Sequence, residues 1–151
     1  MIEEIKQFIS QAIDDENRSK EMYLKLMENT KSESLKSLFQ ELAAQEEDHA
    51  NKLSKLDPNF IKFEKLFDDN FGKINRDVEH SKIIANNEQN VVELRQQLFF
   101  AIRKEEADHQ KYIRVAQLMG YDSIFKKLFT LLADEELAHK MKLAKAVESL
   151  F

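Results

Sequence analysis

The sequence predicts an all-α protein: a four-helix bundle of two repeated helical hairpins joined by a long crossover. Three observations predict it. The 151 residues include two glycines and one proline, too few for the turns of a β-sandwich or for Pro/Gly-rich disorder. Apolar residues recur at helical spacing along four long stretches. The polar interruptions of the first two stretches return, in order, in the last two. The length suits a single domain, 1–151, large enough to bury a sizeable core.

The first helix carries Ile5, Ile9, Ala12, Ile13, Tyr23, Leu24 and Met27 on one stripe and should stop near Asn29. Thr30 followed by Glu33 reads as a capping box, and Leu35, Leu38, Phe39, Leu42, Ala43, Ala50 and Leu53 carry a second helix to about Leu56, completing a hairpin over 1–56. Asp57-Pro58 opens a crossover over 57–87. It starts with a short helix through Phe60, Phe63, Leu66 and Phe67 that ends before Gly72, and it has no clear pattern from Lys73 to Asn87. The second hairpin, 88–151, begins with Val91, Leu94, Leu98, Ala101, Ile102, Tyr112, Ile113 and Ala116, and Gly120 is expected to close that helix in a left-handed conformation. Asp122 or Ser123 then caps a fourth helix through Phe125, Leu128, Phe129, Leu132, Leu143 and Val147. A crossover of roughly 30 residues can travel the length of a bundle and start again.

Composition removes several classes of function. A net charge of −5 with 34% charged residues repels nucleic acid and anionic membranes and attracts cations, so neither nucleic-acid nor membrane binding is expected. Cysteine is absent, which excludes disulfides, thiol catalysis and Cys-ligated metal centres within these residues. There is no 18-residue apolar run, and Met1-Ile2-Glu3-Glu4 has no basic leader, so a cytoplasmic protein is expected.

The repeat carries the chemistry. Glu16 and Tyr23 return as Glu105 and Tyr112 at an offset of 89, and Glu46 and His49 return as Glu136 and His139 at an offset of 90. Core packing explains repeated leucines, but it gives no reason to repeat glutamates and histidines within the apolar stripe. Glu46-x-x-His49 and Glu136-x-x-His139 each place two side chains on one helix face. At about 1.5 Å rise per residue, the four glutamates lie about 21 to 24 Å from the hairpin turns, so all six side chains can meet at one level. Four carboxylates in an apolar interior need compensation, because like charges about 4 Å apart repel by roughly 4 kcal/mol even at an effective dielectric of 20. Two divalent metals supply it, and mixed oxygen and nitrogen ligation suits iron, manganese or zinc.

These motifs resemble the ferritin-like carboxylate-bridged diiron proteins, and within them the rubrerythrin-type domain, over about four-fifths of the chain. The general template, one glutamate from each of two helices and Glu-x-x-His from each of the other two, is well established for such bundles. The resemblance implies Glu16, Glu46, His49, Glu105, Glu136 and His139 as ligands of two iron ions. Asp108 is a further candidate, standing where rubrerythrins have an additional glutamate. The resemblance also implies reduction of hydrogen peroxide, with O2 as another oxidant to consider, and a homodimeric assembly. Electrons are expected from an external, rubredoxin-like donor. A ferroxidase or iron-storage protein is the alternative, and a metal-binding bundle without turnover is a third reading. The longer crossover leans away from a storage cage.

Single features carry less weight. Glu106-x-x-His109 has no counterpart in the first hairpin, so His109 is a weaker candidate, and His80 in the crossover reads as solvated. Tyr23 and Tyr112 read first as core aromatics. Their buried hydroxyls need partners, however, and the ligand carboxylates are the nearest, which would make these tyrosines hydrogen-bond or proton donors to the site.

Overall fold

In a computed structural model, which describes residues 2–57, 91–120 and 123–150, four long helices form among the described residues. They are α1 (Ile2–Asn29), α2 (Glu33–Ser54), α3 (Val91–Leu118) and α4 (Ile124–Leu150). The expected short helix of the crossover, the rest of the crossover to residue 87, and His80 lie outside the described residues.

The helix ends differ from the sequence reading in three places. Ser32, not Thr30, caps α2. Its backbone is extended immediately before the first helical residue, so its hydroxyl can accept the Leu35 N–H at 3.3 Å. Thr30 sits too far back to do this; its hydroxyl accepts the Ser32 N–H instead. At the other end of α2 the Lys55 and Leu56 N–H groups turn back to Lys52 and Leu53, so the helix stops at Ser54, short of Leu56. Gly120 is not left-handed. Its φ is not positive, and its carbonyl accepts the Ser123 N–H at 2.9 Å. Ser123 then caps α4 by accepting the Phe125 N–H at 3.1 Å, while Asp122 lies outside the described residues.

Among the described residues two apolar clusters form the core, one at each end of the bundle. The first joins Ile5, Phe8 and Ile9 of α1 to Leu53 of α2, Val115 of α3, and Phe125 and Phe129 of α4. The second joins Met22 and Leu26 of α1 to Leu35, Phe39 and Leu42 of α2, Leu98 of α3 and Leu143 of α4. The start of α1 therefore meets the end of α3, and the end of α1 meets the start of α3, so these helices run in opposite directions. This is the topology that a long crossover between two hairpins produces. Each cluster draws on all four helices, and a polar layer separates them.

Candidate metal centre

The polar layer is made of the six repeated residues. Glu16 comes from α1, Glu46 and His49 from α2, Glu105 from α3, and Glu136 and His139 from α4; none is more than 2% exposed. Each takes a place in its helix's apolar stripe, which is why helix packing carries it inside. His49 Nδ1 lies 2.8 Å from Glu136 and 3.4 Å from Glu16. His139 Nδ1 lies 2.8 Å from Glu46 and 3.6 Å from Glu105. The two imidazoles lie nearly parallel with centroids 5.5 Å apart. The donor atoms fall into two overlapping groups, Glu16 with Glu46, His49 and Glu136, and Glu46 with Glu105, Glu136 and His139. Within each group they lie within 4.8 Å of one another. Glu46 and Glu136 belong to both groups.

The tyrosines cross between hairpins. Tyr23 of the first donates to Glu105 of the second, and Tyr112 of the second donates to Glu16 of the first at 2.6 Å. Each ring stacks on a phenylalanine that is itself repeated, Tyr23 on Phe39 and Tyr112 on Phe129. The fully buried phenols are pushed well above their ordinary pKa, first by burial and then by the carboxylates beside them, so the hydroxyls remain protonated donors.

The carboxyls differ in ionisation. Burial alone would raise Glu16, but contact with the Glu46 carboxyl and with His49 brings it down to about 2. Burial acts on Glu105 in the same way and is outweighed by Lys104, Glu136 and His139, which hold it well below the carboxylate range. Burial pushes Glu46 and Glu136 well above that range, with repulsion from Glu16 and Glu105 adding to it. For His49, burial pulls downward, but Glu16 and Glu135 prevail and raise it. The four glutamates thus divide into two pushed up, Glu46 and Glu136, and two pulled down, Glu16 and Glu105.

Do these residues fit metal ions? Among the described residues, all but one of the buried side-chain polar atoms without a hydrogen bond belong to these six side chains. Buried oxygens and imidazole nitrogens that converge without hydrogen-bond partners are what a cation satisfies. The buried carboxylate and histidine cluster thus fits a dimetal site.

Several neighbours carry no obvious sequence signal. Lys104 is fully buried and reaches Glu105 at 3.1 Å and Asp108 at 3.3 Å. Lys111 bridges Asp108 at 3.6 Å and Asp15 at 3.4 Å. Asp108 is therefore engaged by two lysines and stands outside both groups of donors. Comparing the repeats position by position would have singled out Lys104 and Lys111, because they replace Asp15 and Met22 at the offset of 89 on a buried face. The outer nitrogens of the histidines are also held, His49 Nε2 by Glu135 and His139 Nε2 by Gln45. His109 lies apart from the layer. It donates from Nδ1 to the Ala133 carbonyl at 2.6 Å and ties α3 to α4, while Glu106 turns outward to Lys140 at 3.0 Å.

The family model described as Rubrerythrin matches residues 7–98. That stretch contains Glu16, Glu46 and His49; Glu105, Glu136 and His139 lie beyond it and are tied to the layer by the internal repeat and by the distances above. No curated protein and no solved structure matches the chain. With the match spanning more than half of the sequence and the fold an all-helical bundle, the chain belongs to the rubrerythrin family.

Proposed function

We propose that the chain is a diiron oxidoreductase that reduces hydrogen peroxide to water with electrons from a separate donor protein. The observation that carries this reading is the convergence of unsatisfied carboxylate and imidazole atoms in one buried layer. Glu16, Glu46, His49, Glu105, Glu136 and His139 would hold two iron ions, which when bound would supply the two electrons that cleavage of the O–O bond consumes. The balance is one peroxide, two electrons and two protons giving two waters. Tyr23 and Tyr112 orient Glu105 and Glu16 through their hydroxyls and keep a proton at each phenol oxygen. The apolar clusters above and below exclude bulk water from the layer. These residues contain no cysteine, so the electrons enter from outside this domain, from a rubredoxin-like protein. Acidic net charge supports a small-molecule substrate over nucleic acid or an anionic membrane, and no helix among the described residues is long and apolar enough to cross a membrane. A homodimer in the cytoplasm completes the proposal.

Anaerobic stopped-flow mixing of the diferrous protein with hydrogen peroxide tests it. Both irons should be oxidised with about one peroxide consumed per pair, faster than by O2, and re-reduction should require an added donor. Tyr23→Phe and Tyr112→Phe should retain the metals and slow oxidation by about tenfold, the usual scale for losing a group that orients a ligand. The loss should be larger for Tyr112→Phe, because the Glu105 oxygen that receives Tyr23 also receives Lys104, whereas Tyr112 is the hydroxyl partner of Glu16. Peroxide reacting no faster than O2, together with a large multi-subunit shell that mineralises more than two irons per chain, would replace this reading with ferroxidase and storage.

A further inference from the structure

The two halves of the metal layer are related by the repeat, so departures from that relation around it are informative. The six converging residues obey it. The tyrosines that donate to Glu105 and Glu16 obey it too, but the other outer partners do not. His49 Nε2 meets the carboxylate of Glu135, while His139 Nε2 meets the side-chain carbonyl of Gln45, and residues 45 and 135 are equivalent positions at the offset of 90. A carboxylate holding the far nitrogen of an imidazole makes the near nitrogen a stronger donor, and a neutral amide does so less.

The glutamates differ in the same sense. Glu16 Oε1 receives the Tyr112 hydroxyl, whereas Glu105 Oε1 receives both Tyr23 and the ammonium of Lys104. At the equivalent position the first hairpin has Asp15. Lys104 does not act alone, since it begins a buried chain of alternating charge through Asp108 and Lys111 to Asp15. Asp15 is further contacted by the half-exposed Arg18 at 3.6 Å and by Gln11. The chain's positive end hydrogen-bonds Glu105, whereas the contacts of Glu16 are with Tyr112 and His49. Both asymmetries therefore make the Glu16 and His49 side the better place for a cation.

We infer that the two metal positions are unequal, and that the position built on Glu16 and His49 holds its ion more tightly than the one built on Glu105 and His139, so that it fills first and empties last. The inference rests on the dimetal reading. Outer partners of metal ligands typically change affinity by about 10- to 100-fold, so the two steps should be separated by at least about tenfold.

The test uses zinc-loaded protein labelled with 15N-histidine and stripped stepwise by a competing chelator. Ring signals are assigned from His49→Gln and His139→Gln chains. The expected result is an intermediate with one zinc per chain in which the His139 ring has returned to its metal-free position and the His49 ring has not. Gln45→Glu should bring the two steps together by strengthening the weaker position, and Glu135→Gln should do so by weakening the stronger one. Lys104→Met, read alongside them, should tighten the second step. Parallel loss at both rings in the parent chain, earlier loss at His49, or two separated steps left unchanged by both Gln45→Glu and Glu135→Gln would overturn the inference while leaving a two-ion site. A chain that takes up neither zinc nor iron would overturn the dimetal reading itself.

Discussion

Stripping the metals with a chelator should lower the melting temperature by about 10–20 °C. Free metal at 100 times its dissociation constant stabilises by about 2.7 kcal/mol per site, and each kcal/mol moves a domain of this size by about 2–4 °C. The pH dependence should separate the two forms. In the metal-free chain Glu46 and Glu136 are raised, so the stability they contribute is fully present below the unfolded carboxyl pKa, near 4.3, and is lost as pH rises toward their folded values. His49, also raised, adds a loss of the same sign as pH climbs above about 6.5. Glu16 and Glu105 are lowered, so their contribution is present above the unfolded pKa and disappears toward acid. The metal-free protein should therefore melt at a lower temperature at pH 8 than at pH 5. The stabilisation added by metal should grow over the same interval, because ligation needs the ionised form that the raised pKa of Glu46 and Glu136 disfavours. Calorimetric melts with and without chelator at both pH values check this, and identical curves would remove the dimetal site.

Glu46→Ala and Glu136→Ala should each weaken the binding of both metals by more than about 100-fold, beyond the 10- to 100-fold typical of outer partners, because each carboxylate belongs to both groups of donors. Glu106→Ala should leave both metals in place. Glu106 precedes a histidine by three residues, as the others do, but it faces Lys140 at the rim, where a partly exposed pair contributes at most about 1 kcal/mol. Metal analysis and melts of the three variants distinguish lost ligation from lost folding; equal metal loss in all three would show that Glu106 belongs to the site.

Much of this arrangement was legible in the sequence because the repeat preserves polar residues where helical periodicity asks for apolar ones. Glu16, Glu46, Glu105 and Glu136 lie on the stripes of their helices, and constant rise per residue puts them at one level. The spacing could not show that Tyr23 and Tyr112 serve the opposite hairpin's glutamate, because periodicity fixes a face and a height but not which neighbouring helix stands across the gap. The lysines were missed for a different reason. A lysine reads as surface, yet Lys104 follows Ala101 by three residues and precedes Glu105, and it is buried because Glu105 and Asp108 compensate it. The helix ends were read to within a few residues. Thr30 and Ser32 both offer a hydroxyl within one turn, and only the backbone geometry selects Ser32. Gly120 had a turn of its own to close, and its carbonyl does so without a left-handed conformation.

The division of the core into two clusters bears on how the molecule comes apart. Each cluster recruits from both hairpins, so neither hairpin has a complete interior of its own, and the natural break runs across the helices at the layer of carboxylates. In the metal-free chain, amide hydrogens should exchange in two sets divided by end of the bundle, each set spanning all four helices, because a layer of unsatisfied carboxylate and imidazole atoms separates the two apolar clusters. Ions bound in the layer would clamp the two ends into a single cooperative unit, so the two exchange rates should merge as metal is added.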